Sequence, residues 1–156
     1  MALDRIDRAI VAELSKDSRL SVRAVAERVH ISRTATNTRI NRLVDSGVLK
    51  GFTTTVDRKA LGLHVTAIVI VNVRETPWQD MAAALAELPY VENVLAVSGG
   101  IDFVLTVSAP DNDSLSDVIM RQINTMPGIV STRSHIVLDS RDGTAPGLAQ
   151  DIWPLS

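Results

Sequence analysis

The sequence predicts an α+β protein in which three helices precede a β-α-β-β-α-β arrangement. Through residue 46 the apolar side chains recur at helical spacing, whereas after residue 63 β-branched runs alternate with two further helical segments. Charge divides the chain in the same way. Residues 1–57 contain 10 Lys and Arg against 7 Asp and Glu, and residues 58–156 contain 6 against 11. We therefore expect two domains, 1–57 and 58–140, and a C-terminal tail at 141–156.

The composition excludes several classes of protein. The chain has no Cys, which rules out disulfides, thiolate metal sites and a Cys nucleophile. Charged residues follow the first Met at once, so no secretory leader is predicted. The longest apolar run, residues 67–71, is too short to span a bilayer. These observations predict a cytoplasmic protein without a metal site.

The three N-terminal helices are predicted from apolar stripes and from their caps. Asp4, Ser21 and Ser32 are side chains that favour the N-cap position, and each directly precedes a periodic segment. Gly47 stands where a glycine commonly ends a helix. The predicted helices cover residues 5–15, 22–29 and 33–46.

The second and third predicted helices are separated by about three residues, which is typical of a helix-turn-helix. At about 100° per residue, Thr36, Ile40 and Leu43 share the inward sector of the third helix. Thr36 is polar, and we expect its hydroxyl to be buried and bonded back to the helix. The opposite half carries Thr34, Asn37, Thr38, Asn41 and Arg42.

That outward half contains hydrogen-bonding and basic groups and no acidic or apolar one, which suits base edges and phosphates of double-stranded DNA. The alternative is an ordinary solvated surface with routine arginines. Arg39 lies nearer the inward sector than the other basic residues. We expect base-edge contacts from Thr34, Asn37, Thr38 and Asn41, and phosphate contacts from Arg33, Arg39 and Arg42.

Residues 48–57 are rich in β-branched side chains and predict a strand that links the two domains. The second domain follows the order β-α-β-β-α-β of the ferredoxin-like fold. Its helices are expected to cover one sheet face, and a second subunit the other. Strands are predicted over 64–74, 91–98, 102–109 and 129–138, and helices over 78–88 and from a cap within 111–114 to about 126.

Three segments together resemble the leucine-responsive regulatory protein/AsnC family, the feast/famine transcription regulators. These are LDRIDRAIVAELSKDSR, AVAERVHISRTATNTRINRLVDSGVLKGFTTTVD and VENVLAVSGGIDFVLTV. The resemblance spans about residues 3–139. It implies a sequence-specific regulator associated with the nucleoid, and a homodimer that assembles further into a tetramer or octamer. It also implies that an amino-acid effector binds between dimers.

Carried onto this sequence, the resemblance implies an effector site made from a glycine turn and the last strand. Free N–H groups at such a turn can bind a carboxylate, and Asp102 can pair with an α-ammonium group. The alternatives are that the turn is only a hairpin connection and that His135 only fills a strand position. The implied residues are Val97, Ser98, Gly99, Gly100, Asp102, Ser134, His135 and Ile136.

Two departures from the family pattern are Thr36, at a usually apolar core position, and Gly100, where many members carry a polar or acidic residue. Gly100 leaves the effector's identity open.

Two other functions are compatible with parts of the sequence. Some relatives of this architecture are thought to decarboxylate a haem precursor, but His30, His64 and His135 lie in three different elements. No catalytic motif is present either, so an enzyme and a cofactor are not expected. A purely architectural DNA binder fits the sequence as well as a regulator does. In the tail, Ile152, Trp153 and Leu155 are expected either to dock on another subunit or to be disordered.

Overall fold

The structure is a computed structural model that describes residues 2–74 and 76–141. The described chain divides into two compact units, residues 2–55 and 56–141. Apart from Arg141, the predicted tail lies outside the described residues. No helix in the described ranges is long and apolar enough to cross a lipid bilayer.

The first unit contains three helices whose starts and stops follow the sequence signals. Asp4 forms a capping box at the first helix, and Ser21 and Ser32 each accept an N–H of the following helix. Gly47 ends the third helix at a φ of 72°. Ile10, Leu14, Val25 and Leu43 pack together as the core of this unit. The helices are α1 Arg5–Lys16, α2 Val22–Val29 and α3 Arg33–Asp45.

The strand predicted over residues 48–57 was wrong: this segment is not assigned to any strand within the described chain. The Leu49 N–H donates to the Leu43 carbonyl at 3.0 Å, and the Ser18 hydroxyl donates to the Thr53 carbonyl at 2.9 Å. Beyond Leu49 every residue to position 57 is exposed. β-propensity reflects packing on a paired sheet, and this segment pairs with no strand in residues 2–74 and 76–141.

The second unit is a four-stranded antiparallel sheet with helices on one face, as the ferredoxin-like arrangement requires. Its elements are β1 Val65–Val73, α4 Trp78–Ala86, β2 Val91–Ala96, β3 Phe103–Ala109, α5 Asn112–Asp117 and β4 Ile129–Ile136. Its strand order is β2-β3-β1-β4, so β1 and β3 are central and β2 and β4 form the edges.

The helix predicted to run to about residue 126 differs from α5. Asp111 caps it as expected, accepting the Ser114 N–H at 2.7 Å. After Asp117 the chain continues as a π-helical turn, Val118–Ile123. The Thr125 hydroxyl then donates to the Arg121 carbonyl at 2.6 Å and so satisfies one carbonyl at the end of the turn.

The two faces of the sheet differ in cover. Val69, Val71, Phe103 and Leu105 are at most 1% exposed on the helix-covered face. On the opposite face, Ile68, Ile70 and Val104 are only partly buried, and Leu95 of the edge strand β2 is 51% exposed. The sheet therefore carries an uncovered face that mixes apolar and polar side chains.

Candidate functional site

The outward face of α3 is built by the helix-turn-helix itself. The inward prediction is confirmed, because Thr36 and Leu43 are 0% exposed and Ile40 packs against the same core. The outward side chains named from the sequence, Thr34, Asn37, Thr38, Asn41 and Arg42, are exposed together with Arg33. Arg39 is intermediate in burial, as its angular position predicted.

Two threonines of α3 bond back to the helix. The Thr36 hydroxyl donates to the Ser32 carbonyl at 3.0 Å, which confirms the expected fate of this buried polar group. The Thr38 hydroxyl donates in the same way to the Thr34 carbonyl at 3.0 Å. The outward face thus contains one hydroxyl with a fixed hydrogen bond and two exposed amide side chains.

Arg39 and Arg42 are both ion-paired to carboxylates at the start of α1, those of the N-cap Asp4 and of Asp7. Arg39 Nη1 lies 2.6 Å from an Asp4 oxygen and 2.7 Å from an Asp7 oxygen. Arg42 Nη2 lies 2.7 Å from both Asp7 oxygens. The pKa of Asp4 is held below its ordinary value by the N–H of Asp7 and then by Arg39, and the pKa of Arg39 is raised by Asp4 and then by Asp7.

Asp7 is the functional candidate that the sequence reasoning missed. It stands three residues after the N-cap Asp4, and its carboxylate accepts the Asp4 N–H at 3.2 Å. It is 1% exposed, although it belongs to a short polar stretch at the start of the chain. An acidic residue at the third position of a capped helix, on the same face as Ile10, was the available signal.

The glycine turn between β2 and β3 is held by backbone contacts. The Val97 N–H donates to the Asp102 carbonyl at 2.9 Å, and the Asp102 N–H donates to the Val71 carbonyl at 3.2 Å. The Asp102 carboxylate accepts the Val73 N–H at 2.8 Å. Gly99 has a φ of 124°, a conformation that residues with a side chain rarely adopt.

This turn presents free donors to solvent. In the part of the chain that the structure describes, no acceptor contacts the N–H groups of Gly99 or Gly100. An added Cβ at either glycine would meet no atom within 4 Å, so the space beside the turn is open. The carboxylate of a ligand can approach these two N–H groups, and the partly buried carboxylate of Asp102 can pair with an ammonium group.

The last-strand residues lie away from this turn in a single chain. Ser134, His135 and Ile136 pair with Val69, Ile68 and Ala67, whereas the turn meets the other end of β1. The two sets contact β1 at positions that are two to six residues apart, which is about 7–20 Å along the strand. His135 shares the uncovered face with Ile68, and Ser134 and Ile136 share the helix-covered side. One chain therefore does not bring the two sets together.

Among the described residues, no group of three or more His, Asp or Glu side chains is arranged to hold a metal ion.

Family models match both units of the chain. The Lrp/AsnC ligand binding domain matches residues 66–145, and a winged helix-turn-helix DNA-binding domain matches residues 3–50. The second model covers α1 to α3, and the first begins at the second residue of β1.

Individual relatives agree with these models. The chain is 31% identical over 147 residues to the transcriptional regulator AldR of Mycolicibacterium smegmatis, covering 92% of this chain and 86% of that protein. The structure of LrpC from Bacillus subtilis is similar at a TM-score of 0.81 and 30% identity, covering 92% and 100%. A Neisseria meningitidis regulator in complex with L-Met shares the fold, at a TM-score of 0.84 and 24% identity over 92% and 94%. These matches indicate a transcription regulator rather than an enzyme.

Proposed function

Because the chain belongs to the Lrp/AsnC family of transcription regulators, we propose that α3 reads its DNA site and that the glycine turn binds an amino-acid effector. The observation that carries the first part is the exposed outward face of α3. Between Arg33 and Arg42 that face carries no acidic side chain. Phosphates and base edges can approach it without repulsion.

The roles on α3 follow from side-chain chemistry. Asn37 and Asn41 are exposed amides that donate and accept at once, as an adenine edge requires. Thr34 and Thr38 add hydroxyls, and we assign all four side chains to base edges. The phosphate contacts are assigned to Arg33, Arg39 and Arg42, of which Arg33 has no ion pair to a described residue.

Fluorescence anisotropy with a DNA site selected from a random library tests this assignment. Asn41→Ala is expected to narrow the affinity ratio between selected and unrelated DNA by about tenfold, because one bidentate base contact is lost. Arg33→Ala is expected to weaken binding to both DNAs and to reduce the salt slope by about 1. Arg121→Ala, which removes an exposed arginine of the second unit, is the matched control and should change neither quantity.

The amino-acid effector is supported by the chemistry of the glycine turn. A zwitterion needs N–H donors for its carboxylate and, close by, a negatively charged partner for its ammonium group. The N–H groups of Gly99 and Gly100 supply the first, and Asp102 supplies the second. Val97 and Ser98 border the turn, and Ser134, His135 and Ile136 would come from another copy of the chain.

Thermal unfolding with each of the twenty amino acids tests the effector proposal, because a ligand that binds the native state raises the melting temperature. Asp102→Asn is the sharpest variant, since its amide oxygen can still accept the Val73 N–H while the charge is removed. The shift should disappear in this variant, and DNA binding without effector should remain. A full shift in Asp102→Asn would remove Asp102 from the site.

We further propose that two copies pair through the uncovered sheet face and assemble into tetramers or octamers. The partly buried Ile68, Ile70 and Val104 support this, because a single sheet with one open apolar face is normally covered. Ile70→Glu should convert the protein to monomers in sedimentation velocity. A dimer in that variant would place the interface elsewhere.

Nucleoid association follows if the assembly binds DNA without an effector.

An architectural binder remains the second candidate, because the basic first unit would bind any duplex. Equal affinity for selected and unrelated DNA, together with a steep salt dependence and no amino-acid response, would favour it.

A further inference from the structure

Asp7 is a buried charge that none of the roles above uses. Among the described residues it is the only buried ionisable side chain, with 1% exposure. A buried carboxylate is costly unless hydrogen bonds and opposite charges compensate it. Both of its basic partners, Arg39 and Arg42, come from α3, the helix to which we assign DNA binding.

The acceptor capacity of Asp7 is fully used. Oδ1 accepts from Arg39 and Arg42, each at 2.7 Å. Oδ2 accepts from Arg42 at 2.7 Å and from the Asp4 N–H at 3.2 Å. A carboxylate offers about four lone-pair sites, so all of them are occupied. This arrangement fixes both guanidinium groups relative to α1.

Each guanidinium keeps donors for another ligand. Arg39 uses Nη1 and Arg42 uses Nη2, so in each case Nε and one terminal nitrogen have no acceptor among the described residues. The Arg42 side chain is 48% exposed. It lines a shallow concavity on α3 together with Thr38, Asn41, Asp45 and Ser46.

We propose that Asp7 is a positioning residue for DNA binding, which acts by holding Arg42 with its remaining donors ready for the DNA. This inference rests on the proposed role of α3. A free arginine side chain loses considerable rotamer entropy when it is fixed on a ligand, and a pre-ordered one loses less. Asp7 therefore contributes geometry to the interface even though its charge opposes that of DNA.

Charge and geometry make opposite predictions for the loss of Asp7. Asp7→Asn raises the net charge of the first unit by one, so electrostatics alone predicts tighter binding to every duplex. The amide NH2 group that replaces Oδ2 would also face the N–H groups of Asp4 and Arg42 that Oδ2 now accepts. Two donors cannot bond to each other, so Arg42 is released. Positioning instead predicts weaker binding to both DNAs, because Arg42 is assigned to a phosphate contact.

Asp4→Asn is the matched control. It makes the same change of charge on the same helix, and Asn is as good an N-cap as Asp. The Asp4 side chain is 50% exposed and has no bond to Arg42, so the Asp7–Arg42 contact should survive. Any difference between the two variants then reports the contact rather than the charge.

The experiment measures affinity for selected and for unrelated DNA, with thermal unfolding to confirm that each variant is folded. We expect Asp7→Asn to lower the affinity for both DNAs by about tenfold, and Asp4→Asn to lower neither affinity by more than about twofold. In an Arg42→Gln background, Asp7→Asn should cause no further loss, because the residue acts through Arg42. An unchanged or higher affinity in Asp7→Asn, as charge alone predicts, would overturn the proposal.

A second variant covers the case in which Asp7→Asn does not fold. Arg42→Lys keeps the charge and can still pair with Asp7, but it lacks the guanidinium fork. It should lower the affinity for both DNAs, and unchanged affinities would overturn the proposal. If Asn41→Ala and Arg42→Gln also leave DNA binding unchanged, α3 is not the DNA surface and the proposed function fails as well. If these two variants weaken binding and Asp7→Asn does not, only the inference on Asp7 fails.

Discussion

The two units of this chain hold their candidate functional groups in different ways. In the first unit the groups are side chains of α3, and carboxylates of α1 bind two of the arginines directly. In the second unit the groups are mainly N–H donors of a turn, which the backbone of β1 and an apolar sheet keep in place. The first site should therefore respond mainly to changes of charge, whereas the second should also respond to changes of backbone conformation and core packing.

The largest expected effect concerns the apolar support of the second unit. Leu105 is 0% exposed in β3, and Leu105→Ala should lower the free energy of unfolding by about 2–5 kcal/mol, because a cavity remains. Leu138→Ala removes the same atoms from a side chain that is 96% exposed, and it should cost less than about 0.5 kcal/mol. Urea unfolding measures both. Equal effects would contradict a sheet stabilised mainly by its helix-covered core.

Substitutions in the glycine turn between β2 and β3 test directly whether the second site depends on backbone conformation. Gly99 has a φ of 124°, so Gly99→Ala should cost about 1–3 kcal/mol of stability through backbone strain. It should also weaken the thermal response to the effector. Gly100→Ala is the control, since its backbone is not in the left-handed region and its Cβ would meet open space. Similar results for the two glycines would show that the turn's conformation does not matter.

A charged pair in the second unit tests whether that unit also depends on charge, as the first unit does. Glu92 binds Arg58 through two contacts of 2.6 Å, and Arg58, followed by Ser108, holds the pKa of Glu92 below its ordinary value of 4.5. A lowered pKa stabilises the fold above the ordinary value, and the contribution is lost as the pH falls through the folded value.

Glu92→Gln should therefore cost about 1 kcal/mol near neutral pH, because the pair is partly exposed. The difference from the unmodified protein should close as the pH falls below 4.5. Urea unfolding across this range measures it, and carboxylates shared by both proteins cancel in the difference. A gap that does not change with pH would mean that the Glu92 charge contributes nothing.

The smallest effect is expected in the first unit. Thr36→Val keeps the volume of a side chain that is 0% exposed. The Ser32 carbonyl still accepts the Thr36 N–H at 2.9 Å, so the stability should change by less than about 1 kcal/mol. Thermal unfolding is a sufficient measurement. A larger loss would show that the buried hydroxyl, and not only the ion pairs, holds α3 in place.

Local signals predicted much of this fold. Caps at Asp4, Ser21 and Ser32 correctly marked where the helices begin, and β-branched runs correctly located the strands of the second unit. The segment at residues 48–57 shows the limit of this reasoning. Its composition favours a strand, but a strand also needs a partner, and sequence propensity does not say whether the same chain provides one.

The sites show the same limit. Angular spacing alone separated the inward and outward faces of α3, but it could not reveal that Arg39 and Arg42 meet Asp7, which lies more than 30 residues away in the sequence. The register of β1 and β4 likewise separates His135 from the glycine turn. Contacts between distant segments depend on packing, which periodicity does not encode.

The hydrogen bond from the Thr38 hydroxyl to the Thr34 carbonyl limits which groups the outward face of α3 can bind at this position. A hydroxyl has one proton, and that of Thr38 is already shared with a carbonyl 3.0 Å away. Only its lone pairs remain for a ligand. At this point of the helix a neighbour that donates, such as the exocyclic amino group of adenine or cytosine, is therefore complementary. The acceptor edge of guanine would meet a second acceptor there, unless the hydroxyl first gave up its bond within the helix.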